Sequence, residues 1–447
     1  MKLKIEFRVA LDRIERLDGG LRSFALVLPE LALEQARRAE AEIMKGDIRG
    51  PMHGAPIGIK DLCWMRDVPT TGGMAIHADF RPARNGTAVQ KLLDAGAVTL
   101  GMLRMTEGAF ADHHPSVLPP LNPWNAAHWI GSSSSGSGAA TAAGLCYGAI
   151  GTDTGGSIRF PCAANGLTGL KPSWGRVSRY GAYELAATLD HLGPMTRSAA
   201  DAAAMLGAMA GADENDPTAS RSPVPDYLAT IGDGLRGVRV GIDAAWNDQG
   251  ADGETRRVVG EAIEVVKRLG ADVRPVRFPD PTAMIDGWMP LCGVEAAVAH
   301  EATYPARKAE YGSTMAGLLD IGHGLSGMDY QKLVLARIDF RGRIDALFET
   351  IDLLLLPAQA TASPTNAAMA NLGTDPEFLA GMLRFTAPFN MSGSPTITLP
   401  GGFTPQGMPV GFQFAAAHDA EALLLRAGHA FQQETDWHLR HPELPRG

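Results

Sequence analysis

GTDTGGSIRFPCAANG, residues 151–166, is the stretch on which the reading of this chain turns. Small and apolar residues run up to Asp153, two glycines follow, and Ser157 comes directly after them. A strand that ends in such a turn leaves backbone N–H groups free. Gly155 and Gly156 let those groups converge, because no side chain obstructs close approach of the backbone. N–H groups from Thr154 to Ser157 are suited to hold a carbonyl oxygen as it gains negative charge, and the Ser157 hydroxyl beside them is suited to attack. A glycine turn can also cradle phosphate, but no GxxxxGK[ST] sequence follows.

A serine hydroxyl needs a base, and this segment holds no histidine. Upstream, GSSSSGSGAA begins at Gly131 and PIGIKD spans Pro56 to Asp61. Two serines and a lysine supply a nucleophile, a proton shuttle and a base. Lys60 serves only if it is neutral, which burial brings about by penalising the ammonium. Its neighbours Ile57, Gly58, Ile59 and Leu62 are apolar enough for that. In an extended segment Asp61 points to the opposite face. Taken alone, a Ser/Gly run reads as a flexible linker, and a lysine after an apolar run as a solvated strand end. Here the run leads without a break into a small-residue helix, which a linker does not do.

Taken in order, these motifs resemble the amidase signature family, serine hydrolases with a Ser–cis-Ser–Lys triad. The similarity is collinear over nearly the whole chain. It includes HGAPIGIKD at His53, TTGG at Thr70, GLKPSWGRVSRYG at Gly169, LDHLGPMTRSAADAA at Leu189, FTAPFNMSGSPTITLP at Phe385 and GMPVGFQF at Gly407. Cys162 stands where the family has alanine. The resemblance implies Ser157 as nucleophile, Lys60 as base and Ser133 as the bridging serine, twenty-four residues before Ser157. Thr154, Gly155 and Gly156 would form the oxyanion hole. Ser132 and Ser135 replace family glycines. The implied fold is α/β: one domain over residues 1–447, with a central mixed β-sheet covered by helices on both faces. Its catalytic core would span about 50–205 and a variable specificity region about 279–380. A small-molecule amide is the implied substrate; no metal or cofactor is implied, and a homodimer is expected from family habit alone.

Composition is compatible with this. The chain has 447 residues, 45% hydrophobic and 20% charged, with a net charge of −9 and no basic run, so nucleic acid is not expected as a partner. Cys63, Cys146, Cys162 and Cys292 form no CxxC pair, which argues against zinc. The first residues lack the long apolar region of a signal peptide, and the most apolar run, Ile351–Pro357, is too short to cross a bilayer; the expectation is a cytoplasmic protein.

Apolar spacing predicts helices at 10–17, 31–43, 86–97, 138–147, 199–209, 255–269 and 420–434. Strands are predicted at 54–61, 98–102, 148–152, 237–243, 270–278, 351–357, 396–399 and 410–414. Residues 279–348 read as helical with a break at Gly312–Gly327, and a polar loop runs to about Pro376. His113 and His114 point different ways without a carboxylate partner and read as an ordinary loop, with one of them a weak pocket candidate. Cys162 reads as a small buried residue, and Asp153 and Arg159 as scaffold. Met284, Trp288 and Met289 fit an acyl pocket and core packing equally well. Arg337, Arg341 and Arg343 share a helix with Asp339 and Asp345 and read as a solvated face. Two other functions compete with a stand-alone amidase: the glutamine-hydrolysing component of a tRNA-dependent amidotransferase, its glutaminase-type "A" chain, and a non-catalytic binding protein. Loss of Ser157, Ser133 or Lys60 would signal the latter, and none is lost.

Overall fold

The apolar runs become strands, and their order sets where the chemistry lies. The computed structural model describes residues 2–370, 372 and 375–444. The strands are β1 (Phe24–Val27), β2 (Pro56–Lys60), β3 (Val98–Leu103), β4 (Gly148–Asp153), β5 (Thr168–Lys171) and β6 (His191–Thr196), followed by β7 (Arg239–Ile242), β8 (Asp272–Pro275), β9 (Leu353–Pro357), β10 (Thr396–Phe403) and β11 (Pro409–Ala416). Among the described residues these eleven form one sheet in the order β1-β3-β2-β4-β6-β5-β10-β11-β9-β7-β8. The pairs β2/β3, β2/β4, β7/β8 and β7/β9 are parallel and the remaining pairs antiparallel, so the sheet is mixed and flanked by helices. Leu353 to Leu356 are all fully buried, as expected of a central strand covered on both sides.

The parallel trio β3-β2-β4 aligns the carboxyl ends of its strands, and open α/β sheets bind ligands in the crevice outside those ends. Lys60 closes β2, and the serine run lies between β3 and β4. That run is structure, not linker. Residues Ser135–Ala142 form a helix in which every position is buried. A Cβ added at Gly136 would lie 2.6 Å from the Arg104 backbone nitrogen, and one at Gly138 2.8 Å from the Asn165 amide. Small residues are what this approach requires.

Three strands lie outside the predicted set: β1, β5 and β6. β1 and β5 have only four residues each, and β6 carries Gly193 and Pro194, which weaken the strand pattern. The predicted break at Gly312–Gly327 is corrected: Ser313–Gly324 is itself a helix, and the interruptions fall at 300–312 and 325–326. Its glycines serve packing. A Cβ on Gly322 would collide with the Gly293 carbonyl on the helix Thr282–Ala299, so the two helices touch backbone to backbone. Of the predicted polar loop reaching Pro376, residues 371, 373 and 374 lie outside the described residues. None of the described helices is long and apolar enough to cross a membrane.

Gly322→Val should lower the free energy of unfolding by about 2 kcal/mol, because overpacking pushes the two helices apart. Gly317→Ala, on the same helix with nothing within 4 Å of the added carbon, should leave it unchanged or slightly raised. Denaturant midpoints read both; equal midpoints for Gly322→Val and wild type would contradict the contact.

Candidate active site

Lys60 is fully buried at the end of β2. Its Nζ is within hydrogen-bond distance of three hydroxyls, Ser133 Oγ at 2.7 Å, Ser134 Oγ at 2.9 Å and Thr152 Oγ1 at 2.7 Å. Burial holds its pKa down to about 7, against a smaller upward pull from Cys63, Asp190 and Asp153. Burial also pushes the Cys63 thiol up to about 12, so near neutrality it is uncharged. The pull opposing Lys60 deprotonation then comes from Asp153, which is ionised, and from Asp190, which is ionised only in part. A neutral amine has two N–H donors and one lone pair. Ser134 sends its own proton to the Thr152 carbonyl at 3.3 Å and accepts from the Thr152 N–H at 3.2 Å, so toward Lys60 it can only accept. That takes one N–H and leaves the second N–H and the lone pair to the Ser133 and Thr152 hydroxyls. The Ser132–Ser133 peptide bond is cis.

The turn after β4 is held by Asp153. Its carboxylate accepts from the Gly156 N–H at 2.9 Å, the Ile158 N–H at 3.1 Å, and Arg159 Nε and Nη2 at 3.0 and 2.8 Å. Arg159 continues to the Thr386 carbonyl and Asn390, and Asn390 returns an N–H to Asp153. All three side chains are fully buried. Burial alone would raise the Asp153 pKa, but Arg159, Lys171 and Asn390 outweigh it and hold the carboxyl well below its usual range. The pair is scaffold for the turn that carries Ser157, as expected. One expectation changes: the Gly156 N–H is engaged by Asp153 and is not free for an oxyanion, which leaves the N–H groups of Thr154, Gly155 and Ser157. Gly156 keeps a different necessity, with φ at +137° and the Phe160 ring where a Cβ would be.

Ser157, Thr154, Gly155 and Ser132 open onto a cavity of about 630 Å³ walled by Phe110, Trp129, Phe160, Trp288, Met289 and Leu318, among others. Ser157 retains 9% exposure, a narrow but real access. Trp288 Nε1 donates to the Thr154 carbonyl at 2.8 Å, and its ring lies 2.5 Å from where a Gly155 Cβ would be; only glycine fits there. Of the three predicted pocket formers Trp288 and Met289 line the cavity, whereas Met284 is buried among core residues. Cys162 is fully buried against Ile158 and Met195. His113 hydrogen-bonds Ser135 Oγ at 2.9 Å, with its pKa lowered by burial to about 4, and His114 pairs with Ser116 at 2.6 Å. Arg337 corrects the solvated-face reading: it donates to the Met391 carbonyl at 2.7 Å and to Thr188, while Arg341 and Arg343 do face solvent beside Asp345 and Asp339.

Thr152, Ser134 and Asp190 carry no signal that singles them out in the sequence. Asp190 accepts from Thr154 Oγ1 at 2.5 Å and from the Leu185 and Ala186 N–H groups, tying the glycine turn to the cavity wall. Burial pushes its pKa up to about 7. It lies within the motif LDHLGP, but nothing in a linear sequence places that strand beside β4.

The family model described as Amidase matches residues 7–425, and the chain belongs to this amidase signature family of enzymes that hydrolyse C–N amide bonds. It is 49% identical over 435 residues to AmiD of Mycobacterium tuberculosis, a protein with a provisional amidase name, with 97% of this chain and 91% of that one covered. It is 36% identical to the "A" component of the glutamyl-tRNA(Gln) amidotransferase of Geobacter, covering 98% and 95%. Among solved structures, the native peptide amidase of Stenotrophomonas maltophilia superposes with a TM-score of 0.85 at 30% identity, over 99% and 95% of the two chains. A bacterial aryl acylamidase of the family does so with 0.87 at 26%, over 97% and 93%.

The buried ion pair yields a stability prediction. Asp153→Asn leaves the Arg159 guanidinium buried without its counter-charge and should cost about 3–5 kcal/mol. Asp153→Asn combined with Arg159→Met should recover part of that loss in denaturant unfolding. A single variant as stable as wild type would contradict the scaffold assignment.

Proposed function

We propose that the protein is a stand-alone amidase acting through an acyl-serine at Ser157. The observation that carries this is the 2.7 Å contact between the buried Lys60 amine and Ser133, whose neighbour Ser132 lines the cavity onto which Ser157 opens. Neutral Lys60 takes the Ser133 proton while Ser133 takes that of Ser157, whose oxygen bonds to the amide carbon. The N–H groups of Thr154, Gly155 and Ser157 hold the oxyanion. Lys60 returns the proton through Ser133 to the leaving nitrogen, the C–N bond breaks, and water then cleaves the ester to carboxylate. Within this reading Asp190 positions Thr154. The greater identity to AmiD than to the amidotransferase component favours this reading over a glutaminase role. A homodimer remains part of the proposal, to be read from the molar mass in solution.

Incubation with a fluorophosphonate probe and intact-mass measurement tests the nucleophile without a choice of substrate. Wild type should gain one adduct, Ser157→Ala none, and Lys60→Ala should react at least about 100-fold more slowly. Thermal midpoints close to wild type would show both variants folded. Absence of an adduct on folded wild type, or an adduct retained in Ser157→Ala, overturns the proposal.

A further inference from the structure

Among the described residues, the cavity that receives the substrate is nearly free of charge, and the one charge lining it is negative. Asp112 is the only ionisable side chain among the described residues that line it, and the sequence from Asn366 to Thr374, part of which forms its wall, contains none. Phe110 and Trp288 face each other with ring planes 18° apart, and the Trp129 and Phe160 rings lie 5.7 Å apart. A carboxylate entering here would lose water and find no Lys, Arg or His to replace it, and an unpaired buried charge is costly. The other anion-binding element of proteins, a helix N-terminus, is present where Ser313–Gly324 begins beside the cavity. Two of the chain's own carboxylates already stand beside it, so a further anion there would meet like charge. Glu107 accepts from the Gly312 N–H at 3.0 Å, and Asp112 accepts from the Thr314 hydroxyl at 2.7 Å.

We propose that this cavity admits the acyl portion of bulky apolar amides that are uncharged or cationic and rejects those whose acyl portion carries a carboxylate, with Asp112 reinforcing the rejection. This rests on the amidase reading above and adds a substrate class to it. Glutamine, with its α-carboxylate, falls in the rejected class.

The test compares two nearly isosteric amides, 5-methylhexanamide and glutaramate, in which an isopropyl group replaces a carboxylate, with 3-phenylpropanamide as the aromatic member. Wild type should cleave 5-methylhexanamide with kcat/KM at least tenfold above glutaramate, and 3-phenylpropanamide at least as well as 5-methylhexanamide. Ile321→Arg places a cation on the cavity rim, at a position already 45% exposed, and should narrow the gap severalfold by raising glutaramate turnover. Asp112→Asn should narrow it by about threefold. Glutaramate cleaved within tenfold of its neutral partner by wild type overturns the inference, as does an Ile321→Arg variant with an unchanged ratio. If none of the three amides is cleaved while Ser157 still takes the fluorophosphonate, the cavity inference fails and the amidase reading stands. If Ser157 is not labelled either, the amidase reading itself fails.

Discussion

The constraint on which the site depends is the burial of one lysine. An ammonium in a dry interior gives up its hydration, and the three hydroxyls around Lys60 offset only part of that loss. The group responds by releasing its proton near neutrality rather than near pH 10. Burial of Lys60 requires β2 to be an interior strand, flanked by β3 and β4, with the small-residue helix Ser135–Ala142 pressed against its end. Sheet order, helix composition and base strength are therefore one problem solved together.

A second buried charge network does the opposite work. Where Lys60 has no counter-ion in contact among the described residues, Asp153 and Arg159 are paired at 2.8 Å and hydrogen-bonded further, which holds the Asp153 carboxyl well below its usual range and keeps both side chains fixed. That rigidity fixes the turn carrying Ser157, since the Asp153 carboxylate grips the N–H groups on either side of the serine. The Gly156 and Ile158 N–H groups are committed to this grip, while Thr154, Gly155 and Ser157 line the cavity.

Much of this is legible in the chain, because the informative residues are local. Gly155-Gly156-Ser157 announces a turn with a hydroxyl, and the apolar runs at 56–60 and 353–357 announce interior strands. What is not legible depends on topology. Thr152 and Ser134 reach Lys60 only because β2 lies beside β4, and Asp190 reaches Thr154 only because β6 lies on the other side of β4. Arg337 reads as solvated because its helix neighbours are acids, yet its guanidinium docks on Thr188 and Met391. The helix Ser313–Gly324 reads as a break because glycine ordinarily weakens helices, whereas here Gly322 permits a backbone contact with Gly293 that no larger residue allows.

The pH dependence of fluorophosphonate labelling at Ser157 tests the central claim, a lysine base neutral in the working range, most directly. Lys60 deprotonates on rising pH, so the labelling rate should climb about tenfold per pH unit below the inflection and level off above it, with the midpoint near 7. A rate independent of pH between about 5 and 9, or an inflection near 10 as for a solvated lysine, would contradict it.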